Sequence, residues 1–192
     1  MADPQARRTR RTYALTVVVG LAASALTAVA GSRTWATGHA SAAGMRVSAT
    51  VPGSQTAPLV AALGLVALAG WGVVLVTRRR IRRAVAVVGL LASLGAVAAA
   101  VHGLTTVGGD VMSALRDQGA GGGALSSQTT GWPFFALAMS LVAAGTFAVA
   151  VLRVHGWPEM GSKYDAPTAR PDASDRQPDM WRALDEGKDP TS

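Results

Sequence analysis

The stretch Arg78-Arg79-Arg80-Ile81-Arg82-Arg83 decides how this chain is read. An uncharged apolar run precedes it, residues 58–77, and another follows it, residues 84–103. At about 1.5 Å rise per residue, a 20-residue helix spans roughly 30 Å, the thickness of a bilayer's hydrocarbon core. Two such segments joined by six residues, five of them Arg, describe a transmembrane hairpin. Arg and Lys concentrate on the cytoplasmic side of membrane proteins, so the turn at 78–83 faces inward.

The rest of the chain is oriented from that turn. Residues 1–12 form a short basic N-terminus with Arg7, Arg8, Arg10 and Arg11. Residues 13–31 carry no charge and form a first span, with Tyr13 as an interfacial aromatic. Ala28-Val29-Ala30 also fits the A-x-A pattern of a signal-peptide cleavage site. The apolar run exceeds the usual h-region of roughly 7 to 15 residues, which favours a retained anchor. Residues 58–77 are the second span, with Pro58 at its first position, and 84–103 the third. The fourth runs over 132–152, from Trp132-Pro133 at the outer interface to Arg153, His155 and Trp157 at the inner end.

The expected fold is an all-α integral membrane protein with four transmembrane helices and both termini cytoplasmic. The inner flanks hold the N-terminal arginines, the arginine turn, Arg153 and Lys163, and the outer loops only Arg33, Arg46 and Arg116. Localisation to the plasma membrane as a multi-pass protein follows.

Two outer loops connect the spans. In residues 32–57, Met45, Val47, Ala49 and Val51 alternate with Arg46, Ser48 and Thr50 up to Pro52-Gly53. This period-2 pattern predicts a short strand or β-hairpin resting on the membrane domain or a partner, because an isolated hairpin is marginal in water. In residues 104–131, Asp110 is expected to cap a short helix ending at Gly119. Ala120 to Gln128 reads as a flexible Gly/Ser linker. It has no Gly-Lys-Ser/Thr and is not a phosphate loop. The tail, residues 153–192, is rich in Pro, Asp and Arg and is expected to be largely disordered, apart from a short helix capped by Asp179. Its aromatic and apolar residues, Trp157, Tyr164, Trp181 and Leu184, with Asp165, are candidate partner-docking residues.

Composition excludes several chemistries. Charged residues are 15% of the chain and hydrophobic residues 49%, too apolar for an ordinary soluble domain. The net charge of +7 belongs to topogenic arginines beside apolar runs and lacks the aromatic interleaving of a nucleic-acid surface. The topology determinants are Arg78, Arg79, Arg80, Arg82 and Arg83, which also attract anionic lipid. No cysteine is present, so disulfides and thiolate metal sites are excluded. The spans contain no Asp, Glu, Lys or Arg, whereas ion-coupled carriers use intramembrane charges. His39 and His102 belong to the outer side and His155 to the inner, so the three cannot share a metal. A weak outer pair of His39 and His102 with Asp110 is the alternative to solvated histidines. No catalytic motif stands out, and neither an enzyme activity, a cofactor nor a nucleic-acid partner is expected. Small residues at i, i+4 (Gly89 and Ser93, Ala92 and Ala96, Gly95 and Ala99) predict close helix packing but do not require a homo-oligomer. Trp71 reads as a lipid-facing or packing residue.

The tail stretches Gly156-Trp157-Pro158-Glu159-Met160-Gly161-Ser162-Lys163-Tyr164-Asp165-Ala166-Pro167 and Met180-Trp181-Arg182-Ala183-Leu184-Asp185-Glu186-Gly187-Lys188-Asp189-Pro190-Thr191 resemble the tryptophan-associated transmembrane family of actinobacteria. Ser32-Arg33-Thr34-Trp35 and the four-span layout with its arginine turn are similar to that family as well. The resemblance implies a membrane location and a setting near tryptophan-biosynthesis operons, with no established activity. Three readings follow. One is an accessory or scaffold role, with the tail docking a soluble cytoplasmic protein. Another is transport or sensing of tryptophan or a related aromatic metabolite. The least favoured is a redox or metal enzyme of the outer face.

Overall fold

A computed structural model describes residues 4–42, 45–77, 79–119 and 125–153. The elements in chain order are α1 (Pro4–Ser32), β1 (Thr34–Ala42), β2 (Met45–Pro52), the one-turn α2 (Gly53–Thr56), α3 (Pro58–Val76), α4 (Arg79–Asp117), β3 (Leu125–Thr129) and α5 (Trp132–Arg153). Four helices, α1, α3, α4 and α5, are long and apolar enough to cross a membrane. Mean hydropathy over their spanning segments is 2.0 to 2.5. They alternate in direction. α1 packs on α3, α3 on α4, α4 on α5 and α5 back on α1, while α3 and α5 scarcely touch across the diagonal.

Small residues set how closely these helices approach. α1 and α3 cross where Gly31 faces Ala61 and Gly64 faces Ala28. A Cβ at Gly31 would lie 2.7 Å from the Ala61 backbone nitrogen, and one at Gly64 would lie 2.8 Å from that of Ala28. Neither position has room for a side chain, so the two backbones touch, which is how helices gain contact in lipid without a hydrophobic drive. On α4 the buried stripe is Ala86, Gly89, Ala92, Ser93, Ala96, Ala100 and Gly103. The small-residue pairs read from the sequence therefore serve packing inside one chain.

Three local expectations are corrected. Arg79 to Arg83 do not form the turn: they are the first residues of α4, and α3 ends at Val76. Arginine is a good helix former, and nothing in the run breaks a helix. Asp110 caps nothing. It lies inside α4, which runs unbroken for 39 residues, or roughly 58 Å. About 20 Å of that helix, residues 104–117, projects past the expected end of the third span. Gly119, with φ of 87°, adopts the left-handed conformation that closes the helix, its N–H donating to the Arg116 carbonyl at 2.9 Å. Finally, Leu125 to Thr129 is not linker but strand.

The predicted hairpin exists and belongs to a three-stranded antiparallel sheet in the order β2-β1-β3. Gly38 pairs with Ala49 on one side and Ser127 on the other, and His39 with Ser48 and Ser126. Alternation decides the faces. Ala36, Gly38, Ala40, Ala49 and Val51 are buried, while His39, Ser41, Arg46, Ser48 and Thr50 are exposed. The apolar face lies on the projecting part of α4, in one cluster with Val107, Val111 and Leu115. Gly38 sits so close to Val111 that any Cβ there would overlap it. The support that an isolated hairpin lacks is thus supplied by the outer end of α4 and by the third strand.

Candidate functional site

Three places in the bundle hold chemistry beyond simple apolar packing. The first is the outer junction at Trp35. Pairing along β1 skips this residue: Thr34 opposes Pro52 and Ala36 opposes Val51. This bulge turns Trp35 to the same side as Ala36, and both are buried. The indole Nε1–H donates to the Ala30 carbonyl at the end of α1 at 2.9 Å. The ring fills the space left by Gly53 and Gly103, joining α1, α2 and α4. Thr130 closes the junction from the other side. Its N–H donates to the Trp35 carbonyl at 2.8 Å, and its hydroxyl lies 2.7 Å from the Thr34 carbonyl.

The second place is the centre of the bundle. Trp71 of α3 stacks on Phe147 of α5, and both are fully buried. Gly20 of α1 makes room for the indole and Gly89 of α4 for the phenyl ring; a Cβ at either would overlap its aromatic neighbour. The Trp71 Nε1–H has no hydrogen-bond partner. The interior hydroxyls are bonded within their own helices. Ser24 donates to Gly20, Thr27 to Ala23 and Ser93 to Gly89, each at 2.8 Å, and Ser140 donates to Leu137 at 2.9 Å. The bundle centre is aromatic and small-residue packing, with its hydroxyls already committed.

The third place is the inner end, where the predicted topology determinants separate. Arg83 is exposed, but Arg82 is 6% exposed and its Nε has no partner. Arg79 and Arg80 lie in the first turn of α4, and Arg78 is outside the described residues. The candidate docking residues Trp157, Tyr164, Asp165, Trp181 and Leu184, and the expected Asp179-capped helix, also lie outside the described residues.

Grooves lined by described residues open beside the sheet and beside the start of α5. One, of about 660 Å³, runs over the sheet and is lined by His39, Ser41, Arg46, Ser48 and Ser126. Another, of about 450 Å³, is apolar, lined by Leu26, Val29, Trp132 and Phe135, with the Arg33 guanidinium 5.4 Å from the centre of the Trp132 ring. His102 and Asp110 lie eight residues apart on α4, about 12 Å. Among the described residues no three His, Asp or Glu side chains are grouped to hold a metal.

Sequence reasoning placed Trp71 inside a span but did not find its partner, and it missed the buried position of Arg82. The spacing of Arg82 from Ala86, Gly89 and Ser93 is the signal that would have put it on the core-facing stripe.

These features define a small polytopic membrane protein: a four-helix bundle with a closed aromatic centre and a sheet-capped outer end. The sequence pattern of the tryptophan-associated transmembrane protein family matches residues 17–191, nearly the whole chain, and the chain belongs to that family. No curated protein and no solved structure shows significant similarity to it.

Proposed function

We propose that this chain is a non-catalytic accessory protein of the plasma membrane, which presents its cytoplasmic tail to a soluble partner in the setting of tryptophan metabolism. The observation that supports this reading over a carrier is the bundle centre. Trp71 and Phe147 fill the space between the four spans, and the interior hydroxyls of Ser24, Thr27, Ser93 and Ser140 donate to carbonyls of their own helices. A translocation path needs polar groups free to replace water around the substrate, and intramembrane charges if it is ion-coupled. The docking role of the tail rests on its sequence, where Trp157, Tyr164, Trp181 and Leu184 stand in an otherwise polar segment with Asp165.

Crosslinking and pull-down from native membranes test the reading, comparing the full chain with one truncated after Arg153. A specific soluble partner captured by the full chain and lost on truncation is the expected result. An unchanged partner set overturns the tail's role. Flux of labelled tryptophan across proteoliposomes is expected to match that of empty vesicles. Protein-dependent flux would instead establish a carrier for aromatic metabolites.

A further inference from the structure

Arg82 is an anomaly among the inner arginines. Topogenic arginines need only lie in water on the cytoplasmic side, as Arg83 does. Arg82 instead occupies the buried stripe of α4, one turn before Ala86, with 6% of its surface exposed. Its Nε is sealed from solvent and makes no hydrogen bond. A guanidinium with a buried, unpartnered Nε bears a desolvation cost there, and buried charges are found paired.

No described carboxylate is able to pair with it. The two that exist, Asp110 and Asp117, lie at least 28 residues further along the same helix, roughly 42 Å away. The anion must come from elsewhere. The position of Arg82 says where. It stands two residues before Ala84, where the apolar run begins, about 3 Å along the axis and therefore at headgroup level. Helix side chains lean toward their own N-terminus, which carries the guanidinium toward the start of α4. There the first N–H groups of the helix lack intrahelical acceptors, and the helix dipole presents its positive end. A buried arginine and a helix start together form a receptor for a phosphate oxygen.

We propose that Arg82 is the centre of a binding site for the phosphate of one anionic phospholipid of the inner leaflet. The bilayer surrounds this depth and supplies phosphate at high local concentration, and the neighbouring arginines of the 78–83 run favour a lipid with net negative charge. The site is discrete: it differs from diffuse attraction by the arginine run in depending on one buried side chain.

The test uses the purified full-length protein. Native mass spectrometry counts bound phosphatidylglycerol and phosphatidylcholine, and thermal shifts are recorded with each lipid and with inorganic phosphate. The wild type is expected to retain one phosphatidylglycerol per chain in preference to phosphatidylcholine. Arg83→Gln is expected to behave the same, and Arg82→Gln to lose about tenfold or more of this retention, the loss of a charge-assisted hydrogen-bonded contact. Arg82→Lys, which keeps the charge, covers the case in which Arg82→Gln fails to fold, and is expected to retain the lipid more weakly than wild type. A wild type without preference for the anionic lipid overturns the proposal. So does equal loss in Arg82→Gln and Arg83→Gln, or equal stabilisation by inorganic phosphate. Lipid retention that emerges only after truncation following Arg153 overturns it too, by assigning the anion to a tail carboxylate.

Discussion

Trp71 and Phe147 stack with ring centroids 4.6 Å apart and planes inclined by 28°, bringing α3 and α5 together across a bundle in which those two helices otherwise scarcely meet. Both rings are fully buried. Gly20 and Gly89 receive them.

Phe147→Ala should therefore destabilise the bundle by about 3–5 kcal/mol, the usual cost of truncating a buried aromatic. Trp71→Phe should cost much less, because it removes an indole N–H that has no partner along with a modest volume. Unfolding of both variants in detergent, followed by circular dichroism, checks the ranking. Equal losses would mean that the N–H is satisfied in the membrane.

Gly64 is buried against α1 and Gly72 is exposed, and they should respond to the same substitution with opposite signs. A Cβ at Gly64 would lie 2.8 Å from the Ala28 backbone nitrogen, whereas one at Gly72 would meet nothing within 4 Å. Gly64→Ala should cost about 1–3 kcal/mol through overpacking. Gly72→Ala should be neutral or stabilise by up to about 1 kcal/mol through helix propensity. Thermal melts of the two variants side by side provide the measurement.

The pairing of β3 with β1 is open to direct chemical proof because the chain has no cysteine of its own. His39 and Ser126 are cross-strand partners, while Gln128 pairs with Thr37. His39→Cys with Ser126→Cys should form a disulfide on mild oxidation, since directly opposite Cβ atoms are about 4.5–5.5 Å apart. His39→Cys with Gln128→Cys should not, at roughly 7–8 Å on the diagonal. Both thiols should also react with impermeant reagents added from outside intact cells.

Trp35 should control whether the sheet stays docked. Trp35→Ala is expected to cost about 3–5 kcal/mol and to weaken the His39–Ser126 crosslink by freeing the sheet from α4. Trp35→Phe keeps much of the ring but leaves the Ala30 carbonyl without the indole N–H, for a smaller loss of about 1 kcal/mol. Crosslinking yield and protease sensitivity of the outer segment distinguish the two.

The sequence by itself determined that four helices are long and apolar enough to cross a membrane. Uncharged runs of membrane length and an arginine-rich junction admit little else, because each backbone polar group in lipid must be satisfied within its own helix. It also announced β2, since Met45 to Val51 alternates cleanly. Tertiary structure decided the rest. Alternation along β1 places Ala36, Gly38 and Ala40 inward and would have turned Trp35 outward; only the bulge between Thr34 and Ala36 brings it into the junction. The Ser-rich stretch of β3 has no apolar pattern, and becomes a strand because β1 offers it a free edge. Asp110 resembles a cap by residue type, yet α4 continues through it because the sheet packs on Val107, Val111 and Leu115. Arg82 is one of five arginines in the run 78–83, and only its place on the inward stripe of α4 sets it apart. Composition and hydropathy act locally and survive in the linear chain, whereas bulges, edge pairing and the burial of a single charge depend on which distant segments meet.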